Sequence, residues 1–188
     1  MAGNPSDFSP ALCIAQPLCF IIKNYVINTR FMIKKIFILL IVPLILSCGQ
    51  KTEPKEILFV CTHGAARSPI AAAYFNKIAK EQGLNYRAVF RGTEPDSVLT
   101  NGTANGLKKD EFKISDWKPE LVSENDANNA FKIITFDCEL PLNVTSKKTE
   151  QWNGTPPISK DYDKARDIIK EKVNRLVETL QEQTLERK

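Results

Sequence analysis

The junction between one apolar run and one helical run constrains this chain more than any other feature. Ile57-Leu58-Phe59-Val60 is unbroken and apolar and stops at Cys61. A run without polar alternation is what a strand buried on both faces of a parallel sheet needs. A few residues later Pro69-Ile70-Ala71-Ala72-Ala73-Tyr74-Phe75 opens a helix. Pro69 suits the first helical position, where a missing amide loses no intrahelical partner, and Gly83 ends the helix. Between strand and helix lies the loop Cys61-Thr62-His63-Gly64-Ala65-Ala66-Arg67-Ser68.

The same alternation continues downstream. Arg87–Phe90 reads as a second strand closed by Gly92-Thr93-Glu94-Pro95, and a weaker helical stretch covers 103–109. Phe131–Phe136 reads as a third strand running into Asp137-Cys138, and a fourth is placed at 148–152. Ile168, Ile169, Val173, Val177 and Leu180 fall at helical spacing and predict a closing amphipathic helix over 162–180. Strands alternating with helices imply an α/β fold with a parallel sheet. Ligands of such sheets sit at the carboxyl ends of the strands, where Cys61 and Cys138 both fall.

A Cys-x5-Arg-Ser loop at such a junction has a definite chemistry. Its backbone N–H groups can turn inward as an anion nest, and the following helix adds unpaired donors and a positive dipole end. Arg67 offers a planar fork that matches two oxygens of a tetrahedral oxyanion. These groups favour the thiolate of Cys61, the form that attacks, and Ser68 can donate a hydrogen bond to it. Gly64, Ala65 and Ala66 let the loop curl. Thr62, His63, Gly64, Ala65 and Ala66 are the candidate substrate-binding residues, with His63 lining the mouth.

The N-terminus is of another kind. Every residue from Ile36 to Leu46 is apolar apart from the break at Pro43, with Lys34-Lys35 before the run and Ser47-Cys48-Gly49 after it. A spanning helix needs about 20 apolar residues, whereas a cationic start, a short apolar stretch and a small residue before a cut describe a secretory signal. Ile45-Leu46-Ser47-Cys48 resembles the lipobox of bacterial lipoproteins, in which the cysteine becomes the lipidated first residue. The expected organisation is an upstream extension over 1–31, with translation starting at Met32, a lipoprotein signal over 32–47, a tether over 48–54, and one domain over 55–188. The protein is then exported and lipid-anchored on the periplasmic side of a bacterial membrane. Removing the leader takes Cys13 and Cys19 with it and leaves Cys61 and Cys138 as the only thiols. Two thiols are not a disulfide framework, and with the single His63 they argue against structural zinc. The net charge of +4 comes with no basic run interleaved with aromatics, so nucleic acid is not an expected partner.

Leu58-Phe59-Val60-Cys61-Thr62-His63-Gly64-Ala65-Ala66-Arg67-Ser68-Pro69-Ile70-Ala71 resembles the opening of the low-molecular-weight protein-tyrosine-phosphatase superfamily, which includes the thioredoxin-linked arsenate reductases. The turn Gly92-Thr93-Glu94-Pro95 is similar as well, and the resemblance runs over residues 55–185. It implies a flavodoxin-like four-stranded parallel sheet with helices on both faces, no metal and no organic cofactor. It also implies Cys61 as nucleophile, with Arg67 and Ser68 beside it. The expected activity is hydrolysis of a phosphorylated protein or small phosphomonoester through a cysteinyl-phosphate. The alternatives are arsenate reduction with a thiol reductant, and a lipoprotein that binds oxyanions with little turnover.

Three departures from the family pattern matter. Gly64 stands where the family has a bracing asparagine. The family's general acid is an aspartate directly before a proline, yet Trp152-Asn153-Gly154-Thr155-Pro156-Pro157 holds no carboxylate. Asp161 is the expected substitute, with Asp163 behind it, and the other reading of both is solvation of the last helix's start. Arsenate reductases carry two more cysteines after the third strand, whereas this chain has Cys138 alone there. Neighbouring first and third strands would place Cys61 and Cys138 on one rim, with Cys138 as a resolving thiol or as a small packed residue.

Overall fold

The computed structural model describes residues 52–141 and 148–186. The extension over 1–31, the signal over 32–47 and the lipidation site Cys48 lie outside the described residues.

Four strands form one sheet in the order β2-β1-β3-β4, with β1 at Lys55–Cys61, β2 at Tyr86–Gly92, β3 at Ala130–Phe136 and β4 at Thr149–Gln151. All three pairings are parallel, as the alternating sequence pattern implies. The register sets Cys61 beside Gly92 on one side and Phe136 on the other, so three strand ends meet at one rim. Ile57, Leu58, Phe59 and Val60 are fully buried, which is the reason for their unbroken apolar run. β4 is only three residues long, and all three are exposed. An edge strand that buries nothing carries little hydrophobic signal.

The two faces of the sheet are covered unequally. Ile57, Phe59 and Cys61 pack with helices α1 (Arg67–Glu81) and α4 (Tyr162–Leu185) and the segment around Leu107. Leu58 and Val60 face a smaller cluster of Val122, Ala127, Ala130 and Ile133, roofed by the six-residue α3 (Glu124–Asn129). Ala165, Ile169, Val173, Leu176, Val177 and Leu180 form the buried stripe of α4. Each large side chain there contributes about 1.5–3 kcal/mol of transfer free energy. A helix cap is worth about 1 kcal/mol, so packing rather than capping decides where α4 lies.

Two local expectations are corrected and one element is added. α1 begins at Arg67, so Pro69 occupies the third helical position rather than the first; the amide there is still among those with no intrahelical acceptor. The weak helix extends over Asn101–Lys109 as α2. Its Gly106 sits against the Tyr162 ring, where a Cβ would lie 2.2 Å from ring carbons. The glycine that weakens the helical signal is therefore imposed by packing. α3 was not expected from periodicity, being too short for a stripe, yet Ser123 and Asp126 form a reciprocal capping box at its start.

Where α1, α2 and α4 converge, Asp110 accepts hydrogen bonds from the Tyr74 and Tyr162 hydroxyls at 2.8 and 2.7 Å and pairs with Arg166 at 3.3 Å. Burial first, and then the adjoining carboxylate, push both phenols well above the ordinary tyrosine range. They act as fixed donors that pin three helices together.

Candidate functional site

The loop after β1 is held from outside by its carbonyl oxygens. Cys61 O accepts from Thr93 N–H at 3.3 Å, Thr62 O from Glu94 N–H at 2.8 Å, and His63 O from Asp96 N–H at 3.0 Å. Ala65 O accepts from Thr100 N–H at 3.0 Å, and the Thr103 hydroxyl donates to Ala66 O at 3.4 Å. Among the described residues, no backbone carbonyl takes the amides of Thr62, His63, Ala65 or Ala66. Gly64 N–H donates within the loop to Cys61 O at 3.4 Å; the other peptides, their oxygens tied outward, leave N–H groups that suit an anion nest.

Two glycines make this geometry possible. Gly64 has φ +60°, and a Cβ there would lie 2.9 Å from Gly92 N. A Cβ on Gly92 would lie 2.8 Å from Gly64 N. The loop and the end of β2 therefore touch backbone to backbone. This packing explains Gly64 and shows that Gly92 belongs to the site as much as to the turn.

At the floor, Cys61 Sγ lies 3.1 Å from Ser68 Oγ, with both residues buried. Ser68 Oγ also lies 3.4 Å from the Arg91 carbonyl, a longer alternative acceptor for its single hydroxyl proton. His63 stands at the mouth, 60% exposed, with Nδ1 3.4 Å from an Asp96 carboxylate oxygen. Arg67 pairs through Nη1 with Asp137 Oδ2. Asp137 also accepts from Gly154 N–H at 3.2 Å through its other oxygen. A groove of about 430 Å³ adjoins Arg67, lined by Ala66, Thr100, Gly102, Thr155 and Ile158 among others.

Trp152 brings the 152–158 segment to this rim. Its ring packs on Phe59 and Phe136 at centroid distances of 5.7 and 5.6 Å, and its backbone N–H donates to Thr135 O at 2.7 Å. Asp161 lies further along. Its carboxylate accepts from Lys164 N–H at 3.0 Å as the N-cap of α4. Asp163 pairs with Lys109 and Arg166, the Lys109 hydrogen bond first among the causes that hold its carboxyl below the usual range. Neither has a hydrogen bond or ion pair to residues 61–68 among the described residues.

Cys138 follows β3 on the same rim as Cys61, as neighbouring strands require, and both thiols are free. The two pack in different layers, however. Cys61 belongs to the core under α1, whereas Cys138 packs against the Leu58 and Val60 cluster with its thiol 3.7 Å from the Val60 carbonyl. Burial, then the nearby Cys61, pushes the Cys138 thiol up to about 11. No group of three His, Cys, Asp or Glu side chains among the described residues could hold a metal ion.

Nothing in the sequence pattern alone assigns Asp137 a role. The available signal was a carboxylate directly after the third strand, on the rim that carries Cys61.

A parallel α/β sheet with an anion-cradling loop after its first strand, a cysteine at its floor and an arginine at its edge defines a class of oxyanion-handling enzymes. The family model of the low molecular weight phosphotyrosine protein phosphatases matches residues 56–153, and the chain belongs to that family. Arsenate reductase 1 of Staphylococcus saprophyticus is 30% identical over 132 residues, covering 63% of this chain and 92% of that protein. The arsenate reductase structure from Archaeoglobus fulgidus is also 30% identical, with a TM-score of 0.55 over 64% of this chain and 98% of that one. The low molecular weight protein tyrosine phosphatase of T. tengcongensis, at 21% identity, shares the fold, with a TM-score of 0.57 over 66% of this chain and 99% of that one.

Proposed function

We propose that the protein is a phosphomonoester hydrolase that works through a cysteinyl-phosphate on Cys61. The observation that carries this reading is the loop whose carbonyls are tied outward by residues 93–103 around the Cys61 thiol. The thiolate attacks phosphorus, the phosphorus–oxygen bond to the leaving group breaks, and that oxygen departs with the electron pair. Arg67 and the loop amides hold the equatorial oxygens, where they are worth most as charge builds in the transition state. Ser68 donates to the thiolate as it is regenerated. Water then attacks the phosphorus, releasing phosphate and restoring Cys61. The substrate is a phosphorylated protein or a small phosphomonoester.

The competing reading is arsenate reduction, favoured by the arsenate reductases among the relatives. There Cys61 displaces a hydroxide from arsenic. A second thiol then attacks Cys61 Sγ, forming a disulfide as arsenic is reduced and leaves as arsenite. The protonated, differently layered Cys138 is a poor second thiol, so this route calls for an external reductant. Purified protein and its Cys61→Ser variant are assayed side by side on para-nitrophenyl phosphate and on arsenate with a thiol donor. Cys61-dependent release of nitrophenol is expected. Thiol-dependent loss of arsenate without nitrophenol release selects the reductase, and phosphate binding without either turnover selects the weak oxyanion binder.

The lipid anchor is a further part of the proposal, supported by the run Ile36–Leu46 between Lys34-Lys35 and Ser47-Cys48-Gly49. The cell-associated protein should begin at a lipid-modified Cys48, and Cys48→Ala should release it from membranes or block processing. Recovery of residues 32–47 in the mature protein overturns this placement.

A further inference from the structure

We propose that Asp137 is a positioning residue that sets the orientation of the Arg67 fork and ties it to the segment carrying Gly154; the proposal rests on the oxyanion site described above. Its two carboxylate oxygens serve two different elements. Oδ2 pairs with Arg67 Nη1, and Oδ1 accepts from Gly154 N–H at 3.2 Å. Arg67 lies at the start of α1, and Gly154 lies two residues after the Trp152 anchor. One side chain therefore couples the cradle to the strap beside it.

The backbone supports the assignment. Asp137 has φ +44°, in the left-handed region, directly after β3. A non-glycine residue held there persists only where the surroundings over-determine it. That turn redirects the chain at the strand end and leaves the carboxylate on Arg67. A straight continuation of β3 would place residue 137 by the period-two alternation instead. Both contacts of the carboxylate are accepted hydrogen bonds, which makes Asp137 a holder of donors rather than a source of protons. Arg67 carries five N–H donors, so a fork with Nη1 committed to Asp137 still has donors for two oxyanion oxygens.

The charge of Asp137 separates this role from a merely structural one. A carboxylate one guanidinium away from the bound oxyanion aligns the arginine and at the same time repels the anion. Removing the charge while keeping the shape should misalign the fork, lowering kcat, yet tighten the binding of a free anion. A residue that only stabilised the fold would weaken both together.

The test compares the parent with Asp137→Asn, which tolerates φ > 0 and keeps an acceptor for Gly154. Asp137→Gly, which suits the left-handed backbone outright, serves as a second variant. Each is measured for kcat on para-nitrophenyl phosphate and, by calorimetry, for the dissociation constant of inorganic phosphate. We expect kcat to fall about 10- to 100-fold, the scale of a misplaced catalytic group. Phosphate should bind about 3- to 10-fold more tightly, the effect of deleting one like charge several ångström away in a solvated site. An unchanged kcat, or phosphate binding that stays level or weakens in both variants, overturns the proposal. If Asp137→Asn does not fold, Asp137→Gly decides on the same readouts. A parent with no turnover refutes the hydrolase reading instead, and the phosphate measurement alone then judges Asp137.

Discussion

Replacing Gly64 by alanine tests whether the cradle depends on backbone contact with the end of β2. Two costs can be separated. Gly64 has φ +60°, and alanine in the left-handed region costs about 1–2 kcal/mol. The new Cβ would also lie 2.9 Å from Gly92 N and 3.1 Å from Arg91 C. Those atoms cannot yield easily, because Gly92 pairs with Cys61 on β1 and exchanges hydrogen bonds of 2.9 Å with Glu120 O and Val122 N. Forcing a methyl into such a contact typically adds about 1–3 kcal/mol, for a total near 2–5 kcal/mol. Gly83 is the internal control, with φ +65° but nothing within 4 Å of its would-be Cβ. Gly83→Ala should therefore cost only the about 1–2 kcal/mol of the left-handed backbone. Urea unfolding of the two variants against the parent measures the difference, provided the slope is unchanged. Relieving the clash means moving the loop off its anchors at Glu94 and Asp96, so Gly64→Ala should also lower kcat by about 100-fold. Gly83→Ala should leave kcat intact. If Gly64→Ala is no less stable than Gly83→Ala, or keeps its turnover, the backbone contact does not shape the site.

Three further perturbations address the remaining residues. Arg67→Lys should abolish most turnover at unchanged stability, because a point charge does not reproduce the two-pronged contact; a lysine variant within a few-fold of the parent would remove Arg67 from the chemistry. Asp161→Ala should cost about 0.5–2 kcal/mol in a denaturation curve through loss of the α4 cap, with kcat retained, whereas a fall of about 10²–10⁴ in kcat would identify Asp161 as the general acid. Cys138, pushed up to about 11, should resist iodoacetamide at neutral pH, and its alkylation should rise only as the pH climbs toward that value. Peptide mass spectrometry of the folded protein reads this directly, and rapid modification of Cys138 at neutral pH would mean that the thiol is neither buried nor held as described.

What the sequence determined by itself were the features whose signal is local. The buried strand before Cys61, the Cys-x5-Arg-Ser loop, and helices α1 and α4 all follow from short-range periodicity and turn chemistry. The order of elements was enough for a parallel sheet, and the resemblance to the phosphatase family implied β1 beside β3, which is the order found. The capping box of α3 was equally local, but six residues with one buried alanine leave no stripe to read. Only the tertiary structure decided how the loop is aimed. Its carbonyls are tied by amides and a hydroxyl from residues 93–103, and Gly64 is pressed against Gly92. The sequence marks none of these pairings. The same holds for the carboxylates. Asp161 is drawn into a cap three residues long, while Asp137 reaches Arg67 across a separation of 70 residues. Which acid faces the arginine depends on which strand ends share a rim and on how the chain turns there. Contacts between distant segments set both, and propensity along the chain does not encode them.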